Sequence, residues 1–215
     1  QKYFEFIYNN EDISLQTSLP DLVGSMKVLK SQENKVFIPY IKFIGSNKSQ
    51  VNQMGKQRST IPKEDPKYQE LTEKIENITK NVKDYQDNII ETHKGKLVSK
   101  IVKMSMDIEV PESPRDENGI IIDSNFSFKY YRKHYWDNVD LTDDALVNNP
   151  VFHNKLEYFF GERMMAQHWD SIIAFAFPFC DQLIPNSRMF EYCVGWITSN
   201  FGKSKIMGMD KVYLE

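Results

Sequence analysis

Residues Asp65–Thr92 read DPKYQELTEKIENITKNVKDYQDNIIET, and the fold class turns on how they are read. Tyr68, Leu71, Ile75, Ile78, Val82, Tyr85 and Ile89 recur at alternating steps of three and four. That spacing draws one apolar stripe down a helix, a seam of coiled-coil type. Asp65 followed by Pro66 supplies an N-cap and a proline at the first helical position. The pattern predicts one long amphipathic helix over about 66–94, roughly 40 Å at 1.5 Å per residue. A stripe of that length must be covered. Gly95 marks a break, and Leu97, Ile101 and Met104 predict a shorter return helix. An antiparallel pair of these two is the simplest cover for the seam, and a dimeric coiled coil is the alternative.

Upstream, the chain reads as strands. Tyr3–Tyr8 (YFEFIY) is aromatic and β-branched, Asn9-Asn10-Glu11-Asp12 is turn-forming, and Ile13–Thr17 alternates apolar and polar. Met26–Lys30 and Lys35–Ile41 repeat the pattern around Ser31-Gln32-Glu33-Asn34. Two hairpins result, or the closing strands of a larger sheet. Asn47–Ser59 has little periodicity and reads as a loose helix or a loop. Downstream, Val110–Asn125 carries two prolines, charges and a glycine, the composition of a linker, with Ile120–Ile122 tucked onto the body. Helical patterns resume after it. Asn149-Pro150 caps a helix that buries Phe152, Leu156, Phe159 and Phe160. Trp169, Ile172, Ile173, Ala176 and Phe177 form the next face, which Pro178 kinks or ends. Ser187 opens a helix that closes near Gly202. The expected fold is α+β and predominantly α. It comprises a β portion over 1–45, the long and return helices over 46–109, a linker over 110–125 and a C-terminal helical region over 126–215.

Composition narrows the function classes. The 215 residues are 40% hydrophobic and 27% charged, with 27 basic against 30 acidic side chains and a net charge of −3. That balance is ordinary for a globular protein and unlike a nucleic-acid binder. The most apolar run, IIAFAFPFC over Ile172–Cys180, is far short of the ~20 residues that span a bilayer. The chain opens at Gln1 with no basic-then-apolar leader, and its ends read as expression or processing ends. Cys180 and Cys193 form neither a CxxC pair nor a zinc pattern, and read as two buried thiols on neighbouring helices, with a disulfide as the alternative.

The stretch richest in candidate chemistry is YYRKHYWDNVDL, Tyr130–Leu141. If it is helical, Phe128, Tyr131 and Tyr135 share one face, while Tyr130 and His134 stack one turn apart on another. Rings at such steps are ordinarily core and rim, each polar tip reaching a partner. A stacking platform for single-stranded nucleic acid would need a basic groove, and here Asp137, Asp140, Asp143 and Asp144 offset Arg132 and Lys133. The aspartates lack the spacing and glycine of a calcium loop, and Thr142 is the expected cap of a short helix there. His153 and Glu157 stand four apart, without the neighbours of a metal motif. Nucleotide-binding and hydrolase signatures are absent from the sequence. No catalytic, cofactor or metal residue is expected. Tyr130, Tyr131, His134, Tyr135, Trp136, Asp137 and Asp140 form the candidate interaction surface.

Several stretches resemble one family. YWDNVD over Tyr135–Asp140, NPVFHNKLEYFF over Asn149–Phe160, Asp170-Ser171-Ile172 and SKIMGMD over Ser204–Asp210 look like the helical N-terminal region of TlpA-like thiol–disulfide oxidoreductases of Bacteroidetes. FEFIYNNEDISL and SMKVLKSQENKVF look like the tail of the β domain that precedes those helices. The likeness covers nearly the whole chain. It implies an exported protein of the periplasm or cell envelope, often lipid-anchored outside this stretch. Its implied partner is a downstream thioredoxin-like domain of the same parent chain, which carries the catalytic CxxC; no catalytic residue therefore transfers here. Cys180, Cys193 and Pro178 depart from the family pattern. The expected role is a non-catalytic accessory region that positions the redox domain or a protein partner. Alternatives are a ligand-binding or enzymatic domain with a pocket around Tyr131, His134, Tyr135, Trp136 and Trp169, and a homodimerisation module built on the Tyr68–Ile89 seam.

Overall fold

A computed structural model describes residues 4–215, which fall into two compact units, one up to Lys103 and one from Met104 on. The fold is α+β and predominantly α: helices dominate both units, and among the described residues the sheet is one antiparallel pair.

In the first unit β1 (Ser14–Gln16) pairs with β2 (Lys27–Lys30), Leu15 opposite Val28, with a bulge between Ser14 and Leu15. Then come α1 (Asn34–Arg58), α2 (Pro66–Thr92) and α3 (Leu97–Ser105), whose last residues fall in the second unit. Asp65 Oδ1 accepts from the Lys67 N–H at 2.8 Å, and Gly95 takes φ +82°, so the long helix starts and stops where its signals lie. Its partner is different from the one expected. The seam packs on α1, with the α1–α2 pair antiparallel: Gln86 Nε2 donates to the Tyr40 hydroxyl at 3.0 Å near one end, and Arg58 Nη1 donates to Thr72 Oγ1 at 3.1 Å near the other.

The expected strand over Lys35–Ile41 and loop over Asn47–Ser59 are thus one helix. The β portion ends before Asn34 rather than near residue 45. A short apolar run fits either period, and here the caps decide it. Glu11 accepts from the N–H groups of Gln32 (2.7 Å) and Glu33 (3.1 Å) and from the Ser31 hydroxyl, and Ser31 Oγ accepts from the Asn34 N–H at 2.8 Å. Donors that a strand would have paired laterally are satisfied as a helix start. Pro39, in the second turn of α1, deprives the Lys35 carbonyl of its intrahelical donor. The strand expected over Tyr3–Tyr8 is also absent from residues 4–8, with Tyr3 outside the described residues. Instead the Asn34 carboxamide, fully buried, grips one peptide: the Ile7 N–H donates to Oδ1 at 2.8 Å and Nδ2 donates to the Ile7 carbonyl at 2.7 Å. Glu33, also buried, caps α3 by accepting from Leu97 N–H (3.2 Å) and Val98 N–H (2.8 Å).

The second unit holds α4 (Phe126–His134), a 3₁₀ turn (Asp144–Asn148), α5 (Pro150–Phe160), α6 (Trp169–Cys180), α7 (Arg188–Gly202) and the short α8 (Asp210–Leu214). Its core is aromatic: Phe152, Phe160 and Phe179 are fully buried, and Phe160 meets Phe159, Phe179, Trp196 and Phe201 ring to ring. Asn149 and Ser187 cap α5 and α7 as read, and α6 ends two residues past Pro178. Three expectations need correction. Ile120–Ile122 are exposed, because Asp116 organises a self-contained turn, accepting from Asn118 and Ile120 N–H at 2.9 and 2.8 Å. Asp143, not Thr142, caps the 3₁₀ turn, accepting from Ala145 N–H at 2.9 Å. Gly202 is the last residue of α7 and has no left-handed φ. A Cβ there would lie 3.3 Å from the Tyr213 ring, so close approach of α8 is its reason.

Candidate functional site

The stretch Tyr130–Leu141 divides by depth. Helix α4 ends at His134, and Tyr135 and Trp136 continue inward as the chain turns under α5. Tyr135, only 3% exposed, stacks on Phe159 at 5.1 Å and meets Tyr131 edge-on at 5.7 Å. Its hydroxyl donates to the Lys155 carbonyl at 3.1 Å, while Lys155 Nζ lies 4.3 Å over the ring. Burial, reinforced by Tyr131, Tyr158 and Asp107, drives the Tyr135 phenol well above its usual range. It stays protonated at any physiological pH. Trp136 packs on Phe179 at 4.6 Å and Phe159 at 5.2 Å.

A second line of side chains runs along the outside: Phe126 to Tyr130 at 5.8 Å, Tyr130 to His134 at 4.2 Å, then His134 Nδ1 to Asp137 Oδ2 at 2.7 Å. The one-turn stack of Tyr130 on His134 is as the spacing predicts. Asp140 closes a local turn by accepting from Thr142 N–H and Oγ1 at 3.2 and 2.6 Å. Of the candidate surface, then, Tyr135 and Trp136 are core, Tyr130, Tyr131, His134 and Asp140 are half-buried, and Asp137 is exposed.

The residues of the expected pocket, Tyr131, His134, Tyr135, Trp136 and Trp169, are not gathered in either of the cavities described below. Trp169 instead lies beside Gly208 and under Lys211, whose Nζ is 4.2 Å from its ring. Two cavities are present in this unit. A half-open apolar trough of about 610 Å³ runs between α6, α7 and α8, walled by Ile173, Phe177, Cys180, Val194, Thr198 and Tyr213. A smaller one of about 280 Å³ lies between α4 and α6, bounded by Lys129, Arg132, Lys133, Trp136, Phe175 and Phe179. The signal for the trough was in the sequence: IIAFAFPFC is apolar all round, more than one helix face needs, and Phe177 is left half exposed.

Both cysteines are free thiols, Cys180 half-buried on the trough wall and Cys193 fully buried on α7. Burial, and then the neighbouring Asp181, push the Cys180 thiol up; burial, and then Cys180, push the Cys193 thiol up to about 12. Nucleophilic thiols need the opposite shift. His153 Nδ1 pairs with the Tyr192 hydroxyl at 2.6 Å, tying α5 to α7. Among the described residues no group of three or more His, Cys, Asp or Glu side chains is placed to hold a metal ion, and no helix is long and apolar enough to cross a membrane. Comparison with protein-family models, curated proteins and solved structures finds no match.

Proposed function

We propose that the chain is a non-catalytic accessory region of a thiol–disulfide interchange protein of the cell envelope. In this reading its second unit presents a recognition edge to a thioredoxin-like domain of the same parent chain, or to another protein. One observation carries it. The residue types that could do chemistry are committed to packing or to local bonds, and the half-buried Tyr130–His134 stack, ending on the exposed Asp137 that His134 bonds, leaves a partly accessible aromatic edge with an acidic tip. Aromatic side chains are enriched at recognition surfaces. Both thiols are tuned away from the thiolate, which suits a region that leaves redox chemistry to another fold. The family resemblance supplies the context of export and the redox partner.

Hydrogen–deuterium exchange of the chain, with and without a thioredoxin-fold oxidoreductase in excess, tests the reading. Added protection over 126–140 that is lost in Tyr130→Ala supports it. Protection that is unchanged, or that appears only elsewhere, counts against it.

A homodimer is the second reading. Ile75, Ile78 and Val82 on the seam stay only half-buried against α1, which leaves apolar surface for a second copy. Light scattering across micromolar concentrations decides it: a strict monomer removes the dimer.

A further inference from the structure

We propose that the cavity between α4 and α6 binds a small organic carboxylate with a flat apolar body. The Arg132 guanidinium lies over two rings, 4.5 Å from the Phe175 centroid and 5.1 Å from that of Phe128. Among the described residues no carboxylate or carbonyl accepts from it. Its planar fork of N–H donors is therefore free, and that fork matches the two oxygens of a carboxylate. Lys133 stands next to it on the rim and likewise has no ion pair among the described residues. Lys129 is already engaged by Asp123 at 2.7 Å. No acidic side chain lines the cavity.

The wall of the cavity is aromatic. Trp136 is 7% exposed, and its indole N–H is the one buried side-chain polar atom without a hydrogen-bond partner among the described residues. That N–H is closed off from the half-open cavity, so the Trp136 ring serves there as apolar wall and as a reporter of occupancy. Phe159, Phe175, Phe179 and Pro178 give the remaining wall an apolar bed for a ring, and Gln182 beside them donates to the Pro178 carbonyl at 2.8 Å.

Chemistry and size narrow the class. Arg132 and Lys133 lie in the last turn of α4, and Phe175 and Phe179 in the second half of α6, so the helix ends nearby carry negative partial charge. That field opposes a doubly charged phosphate about twice as strongly as a monocarboxylate, which the guanidinium can offset. At 280 Å³ the space falls just under the ~300–1,000 Å³ of drug-sized sites, which suits a single ring bearing one acid group.

The test is calorimetry at low salt on the whole chain with three probes: benzoate, its neutral amide benzamide, and inorganic phosphate. Alongside it, ¹⁵N spectra of the three tryptophan indoles are recorded, each assigned by Trp→Phe substitution. Saturable benzoate binding is expected, with benzamide and phosphate at least about tenfold weaker. The Trp136 indole signal should shift and those of Trp169 and Trp196 should not. Arg132→Gln should weaken benzoate at least about tenfold, and the exposed Lys133→Gln about threefold. Circular dichroism confirms that both variants are folded, and Lys133→Gln keeps the test sound if Arg132→Gln is not. Equal affinity for benzoate and benzamide, tighter binding of phosphate, or no benzoate binding up to about 10 mM overturns the proposal.

Discussion

Replacing Glu33 by alanine probes the joint that sets the first unit. The Glu33 carboxylate is buried and accepts from the Val98 N–H at 2.8 Å, the Leu97 N–H at 3.2 Å and Asn9 Nδ2 at 3.0 Å. Val98 is fully buried and Leu97 nearly so, which leaves little water to replace the lost acceptor. An orphaned buried donor costs about 1–3 kcal/mol, and the short bond to Val98 belongs near the top of that range, the long one to Leu97 near the bottom. The sum is about 3–4 kcal/mol. Removing a buried carboxylate returns part of it, because the desolvation of that charge disappears as well. A net loss of about 2–3 kcal/mol follows, larger than an exposed N-cap substitution gives. Urea unfolding followed by circular dichroism measures the loss, and amide exchange at Leu97 and Val98 localises it. Glu33→Gln retains one acceptor oxygen and should lose roughly half as much. A Glu33→Ala chain within about 0.5 kcal/mol of the parent, with unchanged exchange at those amides, would refute the reasoning.

Three further outcomes follow from the same structure. Burial alone would raise the Glu11 carboxyl, but hydrogen bonds from Ser31, Gln32 and Glu33 outweigh it and hold it below the ordinary value. Its contribution is thus complete above the unfolded value of about 4.3 and is lost as pH falls through the depressed one, so urea midpoints should drop at acid pH less steeply in Glu11→Gln. With its thiol pushed up to about 12, Cys193 in the folded chain should resist an aromatic disulfide reagent at pH 8 while urea-unfolded chain labels at both cysteines, as read by mass spectrometry. Leu156→Ala removes a fully buried side chain from the core of the second unit and should cost about 2–5 kcal/mol in thermal or urea unfolding.

Much of the helical architecture was legible because its signals are local. The Tyr68–Ile89 stripe, the Asp65-Pro66 and Asn149-Pro150 starts and the Ser187 cap each declare themselves within a few residues. What misled was long-range. Helix α1 reads as a strand plus a loop because the groups that start it, Glu11 and Ser31, include one more than twenty residues upstream of Asn34. The same holds for the seam's partner: return by α3 is the shorter connection, yet α1 carries Tyr40, Phe43 and Arg58 to the right places along α2. At the candidate site, ring spacing gave the stacking of Tyr130 on His134 but not the depth of Tyr135 and Trp136. Depth depends on Phe159 and Phe179, which arrive from α5 and α6. The α4–α6 cavity has no local signal at all. It exists only once Arg132 and Phe175 face each other.

The most direct measurement of the central claim is dithiothreitol-driven reduction of insulin disulfides by the isolated chain. A module whose rings and thiols serve packing should leave the rate at the uncatalysed background, with Cys180→Ser and Cys193→Ser indistinguishable from the parent. Turnover above background that disappears in either cysteine variant would contradict the account and place redox chemistry in this chain.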